Sequence, residues 1–279
     1  MPDENPILRH WQKEHKVLQD NVSMLRDQMN VDAIHDLRVA IKKIRSYRRL
    51  DAALLNKREP GKAETIRELF SVLGRHRNMD IAKKLLVSFS DRKKPPLSAV
   101  LVYLQLLQDQ ITPFCQKIIK DFSEEHIDKW TNELNQDLEN VNTAELMARV
   151  RRVMASSVKS VKHDLKHFKK KSHLVRKRLK DIFYWSNIFE DDIFFTRQQV
   201  KSLDKILDHL GSIQDYAVLI TNLKNFRKTI LASSMEEYDR VKKVEINAEK
   251  KKDALLKRAN EMTEKLLSKT REAEPAAIK

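Results

Sequence analysis

Cysteine, glycine, proline and aromatic residues are all scarce in this 279-residue chain, which has one Cys, three Gly, seven Pro and 6 % aromatics. A single cysteine, Cys115, forms no intrachain disulfide and fits a reducing compartment. So few turn-formers, beside many Ala, Leu, Lys, Glu and Gln residues, point to long helices. No glycine-rich loop is present to cradle a nucleotide phosphate. The longest apolar stretch, Leu97 to Leu107, is far shorter than the ~20 residues of a membrane span. Residues 1–30 are polar and mixed in charge, unlike a secretory signal. The expectation is a soluble, cytoplasmic, all-α protein without a membrane role.

Charge is abundant and unevenly placed. Fifty-five Lys and Arg against 40 Asp and Glu leave a net charge of +15, which attracts polyanions such as nucleic acid, anionic membranes or phosphate polymers. Residues 144–190 hold 13 Lys/Arg against 4 Asp/Glu, whereas residues 121–143 hold 7 Asp/Glu against one Lys. Sorting into blocks argues for a basic face rather than a uniformly solvated surface.

Breakers and hydrophobic periodicity predict helices at 5–28, 32–55, 62–89, 97–122, 144–169, 172–189, 197–229 and 236–269. Bends are expected near Gly74 and Gly211, and Thr112-Pro113 is expected to kink or divide the fourth helix. Joints are expected at Asn30, Asn56–Gly61, Asp91–Pro96, Asn140–Thr143, Glu190–Asp192 and Ser233–Ser234, and the tail over 270–279 is read as frayed. Sliding the chain by 138 residues lays His35, Arg38, Ile41, Lys42 and Ile44 on His173, Arg176, Leu179, Lys180 and Ile182. Sliding it by 137 lays Leu73-Gly74 and Arg77-Asn78 on Leu210-Gly211 and Gln214-Asp215. Two landmarks in one order at nearly one offset imply a duplicated four-helix unit. The copies span 5–125 and 143–269, giving two bundles of long antiparallel helices about a pseudo-two-fold axis.

Within the second predicted helix, Ile34, Leu37, Ile41 and Ile44 form the core stripe. His35, Arg38, Lys42, Arg45 and Arg49 follow the same rhythm one residue later, ~100° around the helix. This basic stripe runs ~21 Å and contains no carboxylate. Like charges at i,i+4 repel by ~0.2–0.5 kcal/mol per pair, a penalty that an external linear anion would remove. The second copy keeps His173, Arg176, Lys177 and Lys180, but Asp181 stands opposite Lys43 and Phe183 opposite Arg45. The second half is therefore expected to bind more weakly. Another basic line, Arg149, Arg152, Lys159, His163, Lys166 and Lys170, falls on the face opposite Met147, Val150 and Met154 and reads as an outer surface. His35 and His173 head the matched stripes and would act as conditional cations, titrating near pH 6.5, while Lys and Arg stay charged.

These motifs resemble a known family. His35-Asp-Leu-Arg38-Val39-Ala-Ile-Lys42-Lys43-Ile44-Arg45 is similar to the signature His-x-x-Arg-Val-x-x-Arg-Arg-Leu-Arg of the CHAD domain, the conserved histidine α-helical domain. Leu73-Gly74-Arg-His-Arg77-Asn78-Met-Asp80-Ile81 resembles its Leu-Gly-x-x-Arg-Asp-x-Asp-Val segment, with Asn78 replacing the first Asp. His173 to Lys180 and Leu210-Gly211-Ser-Ile-Gln-Asp215 resemble its second-half motifs. The likeness covers nearly the whole chain and implies a single domain of two four-helix bundles. It also implies that the domain binds inorganic polyphosphate on a basic central surface, at polyphosphate granules. Many such domains are fused to a triphosphate-processing CYTH domain; here the resemblance implies a stand-alone module. The candidate polyphosphate-binding residues are His35, Arg38, Lys42, Lys43, Arg45, Arg49, Arg77, Arg152, His173, Arg176, Lys177 and Lys180.

Nucleic acid is the main rival ligand. The basic stripes carry no interleaved aromatics for base stacking, with Phe70, Phe168 and Phe183 near apolar phase, so a polymer without bases is favoured and non-specific binding to an RNA or DNA backbone stands second. His163-x-x-x-His167 has zinc-like spacing but is crowded by lysines. No acidic cluster stands ready to hold Mg²⁺ against a phosphate. Asp80 and Asp215 read as partners of Arg or Lys or as local caps. The expectation is a binding module and not an enzyme, without metal or other cofactor.

Overall fold

A computed structural model of the chain describes residues 5–58, 61, 63–89, 97–139, 141–189, 194–231 and 235–270. Among the described residues there are nine α-helices and no strand. They are α1 (Pro6–Asp27), α2 (Val31–Leu54), α3 (Glu64–Ser88), α4 (Ser98–Lys120), α5 (Glu125–Leu138), α6 (Thr143–Leu165), α7 (Phe168–Ser186), α8 (Arg197–Thr229) and α9 (Glu236–Ser268). None of these helices is long and apolar enough to cross a membrane.

Several helix starts follow directly from the sequence. The side chains of Asn5, Asn30 and Asn142 accept hydrogen bonds from the first backbone N–H groups of α1, α2 and α6. Thr196 and Gln199 form a capping box on α8. The joint at Asn30 is present as expected. Those at Asp91–Pro96, Glu190–Asp192 and Ser233–Ser234, and the tail beyond residue 270, lie outside the described residues in whole or in part.

Three expectations change. First, the acidic stretch after residue 122, outside the predicted helices, carries α5. Its Ile127, Trp130, Leu134 and Leu138 are buried, at helical spacings of 3, 4 and 4, and the indole N–H of Trp11 donates to Thr131 at 2.9 Å. Second, α3 and α8, expected to bend at Gly74 and Gly211, run as unbroken helices through both, and at Gly74 the missing side chain serves close packing. Third, α4 continues through Pro113, held on both sides by buried Val100, Leu104, Cys115 and Ile119.

The two halves pack by the same pattern. α1 lies against α2 and α3 against α4, as α6 lies against α7 and α8 against α9; α2 meets α3 as α7 meets α8. The arrangement is consistent with the duplication read from the sequence, with α5 added on α1 and α2. Between halves, α2 packs on α7 and α3 on α8. One core joins both halves through Leu37, Ile41, Leu69, Leu73, Val175, Leu179, Leu203 and Leu210. A second core holds the far ends of α3, α4, α8 and α9, including Ala82, Leu86, Leu104, Leu219, Leu223 and Phe226. α3 passes from the first core to the second between Leu73 and Met79, and there its side is left to polar residues.

Candidate functional site

Three helix faces converge on a cleft of about 600 Å³. α2 contributes Arg38, Lys42, Arg45 and Arg49. α3 contributes Arg67, Phe70, Ser71, Gly74, Arg75 and Asn78, and α7 contributes His173, Arg176, Lys177, Lys180, Asp181 and Tyr184. The α3 and α7 sets share the spacing 0, 3, 4, 7, 8, 11, which is one continuous helix face. Nine Lys and Arg side chains thus line the cleft against one carboxylate, Asp181.

Asp181 does not oppose a ligand. Arg49 Nε donates to its Oδ2 at 3.0 Å and the Ser46 hydroxyl donates to its Oδ1 at 2.8 Å. The Trp185 indole N–H donates to the Ser46 carbonyl at 3.0 Å, completing a buried link between α2 and α7. At this position the second half presents a paired carboxylate: Asp181 engages an arginine of the first half, and α7 places Arg176, Lys177 and Lys180 on the cleft wall.

Arg38 is held from several directions. Its guanidinium donates to the Phe70 carbonyl and lies 4.0 Å from the Phe70 ring centroid. A Cβ added at Gly74 would stand 2.5 Å from Arg38 NH1, so only glycine leaves room for this placement. Arg176 lies over Gly211 in the same way but more loosely, at 3.9 Å from a built Cβ. Both arginines have a buried Nε without a hydrogen-bond partner, and leaving a buried donor unmade costs about 1–3 kcal/mol.

Lys42 sits deepest in the electrostatic sense. Burial, followed by the positive charges of Lys180, Arg38, Arg176 and Arg77, pushes its pKa down to about 6. Among the described residues no carboxylate reaches ion-pair distance of Lys42 or Lys180. Burial, then Arg176, Arg77 and Arg38, push Lys180 down to about 8 against the pull of Asp215, and burial, then Arg77, push Arg38 down to about 10. Asp215 is raised by burial against the opposing pull of Arg77, Arg176, Lys42 and Lys180. A pocket of buried, mutually repelling cations that outnumber the carboxylates Asp181 and Asp215 is arranged to take up an anion.

Eight of the twelve candidate residues line the cleft; four do not. His35 lies one turn beyond Arg38 toward the start of α2, where burial and then Arg77 lower its pKa. Arg77 stands close enough to act on Arg38, Lys42, Lys180 and Asp215 without joining the lining. Lys43 is turned ~100° away from Lys42 and pairs with buried Glu14 on α1 at 2.7 Å. Arg152 lies in a separate cavity with Arg149, which donates to the Leu54 carbonyl at the end of α2. The carbonyl end of a helix disfavours an anion, so Arg152 is removed from the candidate set. Its companions Lys159, His163, Lys166 and Lys170 are exposed, as an outer face should be.

Arg67, Arg75, Phe70 and Tyr184 were not legible as site residues, although the i, i+3, i+4 spacing of Arg67, Phe70, Ser71 and Gly74 carries the signal. Phe70 also corrects the expectation of a cleft without aromatics: Lys42 and Arg45 stand 5.7 and 5.8 Å from its centroid. Its ring is taken up by cations. Among the described residues no group of three or more His, Cys, Asp or Glu side chains is placed to hold a metal ion; His163 and His167 are both exposed.

The sequence profile of the CHAD domain matches residues 8–224. No protein of the curated set matches the chain. A crystal structure of the CHAD domain from the plant Ricinus communis superposes with a TM-score of 0.70, covering 93 % of this chain and 90 % of that one at 15 % sequence identity.

Proposed function

Because the chain belongs to the CHAD domain family, we propose that it binds inorganic polyphosphate in the cleft between α2, α3 and α7, as a binding module and not as an enzyme. The observation that carries this reading is the nine-cation lining, whose single carboxylate is engaged by Arg49 and Ser46. The α2 cations of the cleft, Arg38 to Arg49, span ~17 Å at the ~1.5 Å rise of a helix. That length suits a linear polymer of charge better than a single phosphate group. Phosphoryl transfer draws on carboxylates that hold Mg²⁺ against the phosphates, and this lining offers none that is not already paired. Residence in the cytoplasm at polyphosphate granules belongs to the same proposal.

Non-specific binding of a nucleic-acid backbone is the rival. Base stacking needs an open aromatic face; of the two aromatics on the lining, Phe70 has Arg38 at 4.0 Å from its centroid and Tyr184 is half-buried beside the Phe183 ring. The test compares long-chain polyphosphate, single-stranded RNA, duplex DNA and ATP at one ionic strength. Polyphosphate is expected to bind tightest, with a steep loss of affinity as salt rises, and ATP weakly. Equal affinity for RNA or DNA moves the assignment to nucleic acid, and equal affinity for ATP overturns the extended site.

A further inference from the structure

α7 sorts its cations by face. Lys171 and Arg178 turn toward α6 and pair with buried Asp164. Lys169 and Lys170 are exposed, and among the described residues neither has a carboxylate at ion-pair distance. α6 ends at Leu165 and α7 begins at Phe168, so Lys170 keeps the register of α7 and not that of the α6 line to which the spacing assigns it. Lys169 and Lys170 straddle the direction of His173 by ~40° and ~60°, as Lys177 and Arg176 do. The basic face of α7 therefore runs from Lys169 to Lys180, ~17 Å. Its first turn lies outside the cleft, which opens there through exposed His173 and Lys177.

The way across α8 has the opposite charge. The 137-residue offset of the duplication sets Arg67, Ser71, Gly74 and Asn78 of α3 on Asp204, Asp208, Gly211 and Asp215 of α8. The α3 set lines the cleft. The α8 set recurs at spacings of 4, 3 and 4, one helix face, with Gly211 under Arg176 and with Asp204 and Asp208 exposed. Beyond Arg176 a polyanion would thus meet carboxylates where α3 offers an arginine, a hydroxyl and an amide.

We propose that a polyphosphate chain longer than the cleft leaves it over the start of α7, where Lys169 and Lys170 form an outer subsite for the linear polymer, and that the carboxylates of α8 bar the other route. The inference rests on the polyphosphate reading above and names the path of the chain. A chain on this path meets two cations that have no carboxylate partner, and each phosphate they contact releases a counterion. A chain crossing α8 brings its charge against Asp204 and Asp208 instead, within the distance that salt screens poorly. An oligomer short enough to stay in the cleft never reaches Lys169 or Lys170. The outer subsite therefore discriminates by chain length, while the cleft recognises the phosphate group.

Tripolyphosphate and long-chain polyphosphate are titrated into the full chain over a range of salt concentrations. Lys169→Gln combined with Lys170→Gln is compared with Lys201→Gln combined with Lys205→Gln. The second pair makes the same change of net charge at exposed residues flanking Asp204 on α8, and circular dichroism checks that both variants keep their helicity. The α7 pair is expected to lower long-chain affinity about fivefold or more and to make the slope of log K on log salt shallower by roughly one to two. Its tripolyphosphate affinity is expected to stay within about twofold of wild type, because the small ligand is held in the cleft. The α8 pair is expected to leave both ligands unchanged. An equal loss from the two pairs, or an equal loss for the two ligands in the α7 pair, overturns the proposal. Binding of long polyphosphate that the α7 pair leaves unchanged overturns the path alone. Wild type that binds no polyphosphate overturns the functional reading and the path with it.

Discussion

Binding of polyphosphate is expected to take up protons at pH 7.5, with Lys42 as a principal acceptor. In the free cleft its pKa is lowered to about 6, so only about 3 % of it is charged at that pH. A polyanion in the cleft reverses the local potential and favours the ammonium. The polyanion offsets the repulsion from neighbouring cations while burial, the larger cause, persists, so uptake at Lys42 is bounded above by one proton. Lys180, at about 8 in the free cleft, is about three-quarters charged already and adds at most about a quarter of a proton. The pKa is higher in the bound state, so affinity increases as pH falls. The gain is at most about tenfold, or ~1.4 kcal/mol, per unit from pH 8 to 6.5, and it flattens below the free value near 6. Terminal phosphates lose charge over the same range and work in the opposite direction. Titration calorimetry in two non-phosphate buffers of different ionisation enthalpy counts the protons. Lys42→Arg keeps the charge at every pH, so it should bind at pH 8 at least as well as wild type and show little proton uptake. Wild type without uptake, or Lys42→Arg with as much, refutes the assignment. The sequence pointed to His35 and His173; nothing local reveals that burial and neighbouring cations lower the pKa of a lysine as well.

Gly74→Ala should fold with unchanged or slightly higher thermal stability, since alanine is favoured in helices by ~1 kcal/mol. Its polyphosphate affinity should fall at least fivefold, because the new Cβ stands 2.5 Å from Arg38 NH1; Gly211→Ala, with 3.9 Å to Arg176, should bind as wild type. Fluorescence titration of both variants decides this, and equal behaviour refutes the packing role of Gly74. Arg176→Glu should weaken binding as severely as Arg38→Glu, each at least tenfold with helicity by circular dichroism retained, contrary to the first-half dominance read from the sequence. Asp181→Ala should lower the midpoint of thermal unfolding, since breaking a buried pair costs about 3–5 kcal/mol; a rise in polyphosphate affinity at constant stability would show that the carboxylate merely repels the ligand. Asp51, buried beside Asp137, has its pKa raised to about 7 by burial and then by that neighbour. The folded state therefore holds this proton more tightly than the unfolded state, and stability should decline as pH rises from about 4 through about 7. Asp51→Asn should remove that decline, with the larger gain in unfolding midpoint at pH 8 than at pH 5; an equal gain at both refutes it.

Much of the architecture was legible because helical periodicity is local. The stripe of Ile34, Leu37, Ile41 and Ile44 is buried where the spacing put it, and the starts of α1, α2 and α6 follow Asn caps. The matched motifs at offsets of 137 and 138 led to the family. α5 was legible in principle, through Ile127, Trp130, Leu134 and Leu138, but its acidic residues read as a break in a basic chain. Within the site, spacing alone placed Arg38, Lys42, Arg45, Arg176 and Lys180 on shared faces, and the cleft uses them.

Other assignments needed the tertiary structure. Lys42 and Lys43 are neighbours with the same chemistry, yet one lines the cleft and the other pairs with Glu14, because ~100° of helix rotation points them at different partners. Asp181 looked like a lost contact until Arg49, 132 residues away in the chain, was found bonded to it. The depressed pKa of Lys42 comes from burial and from cations on other helices as well as its own. Periodicity is set by bonds between near neighbours in sequence, and a single chain displays it openly. Dehydration and charge–charge interaction depend on distance in space, so which cations bind, which pair and which give up their proton was decided only when α2, α3 and α7 came together.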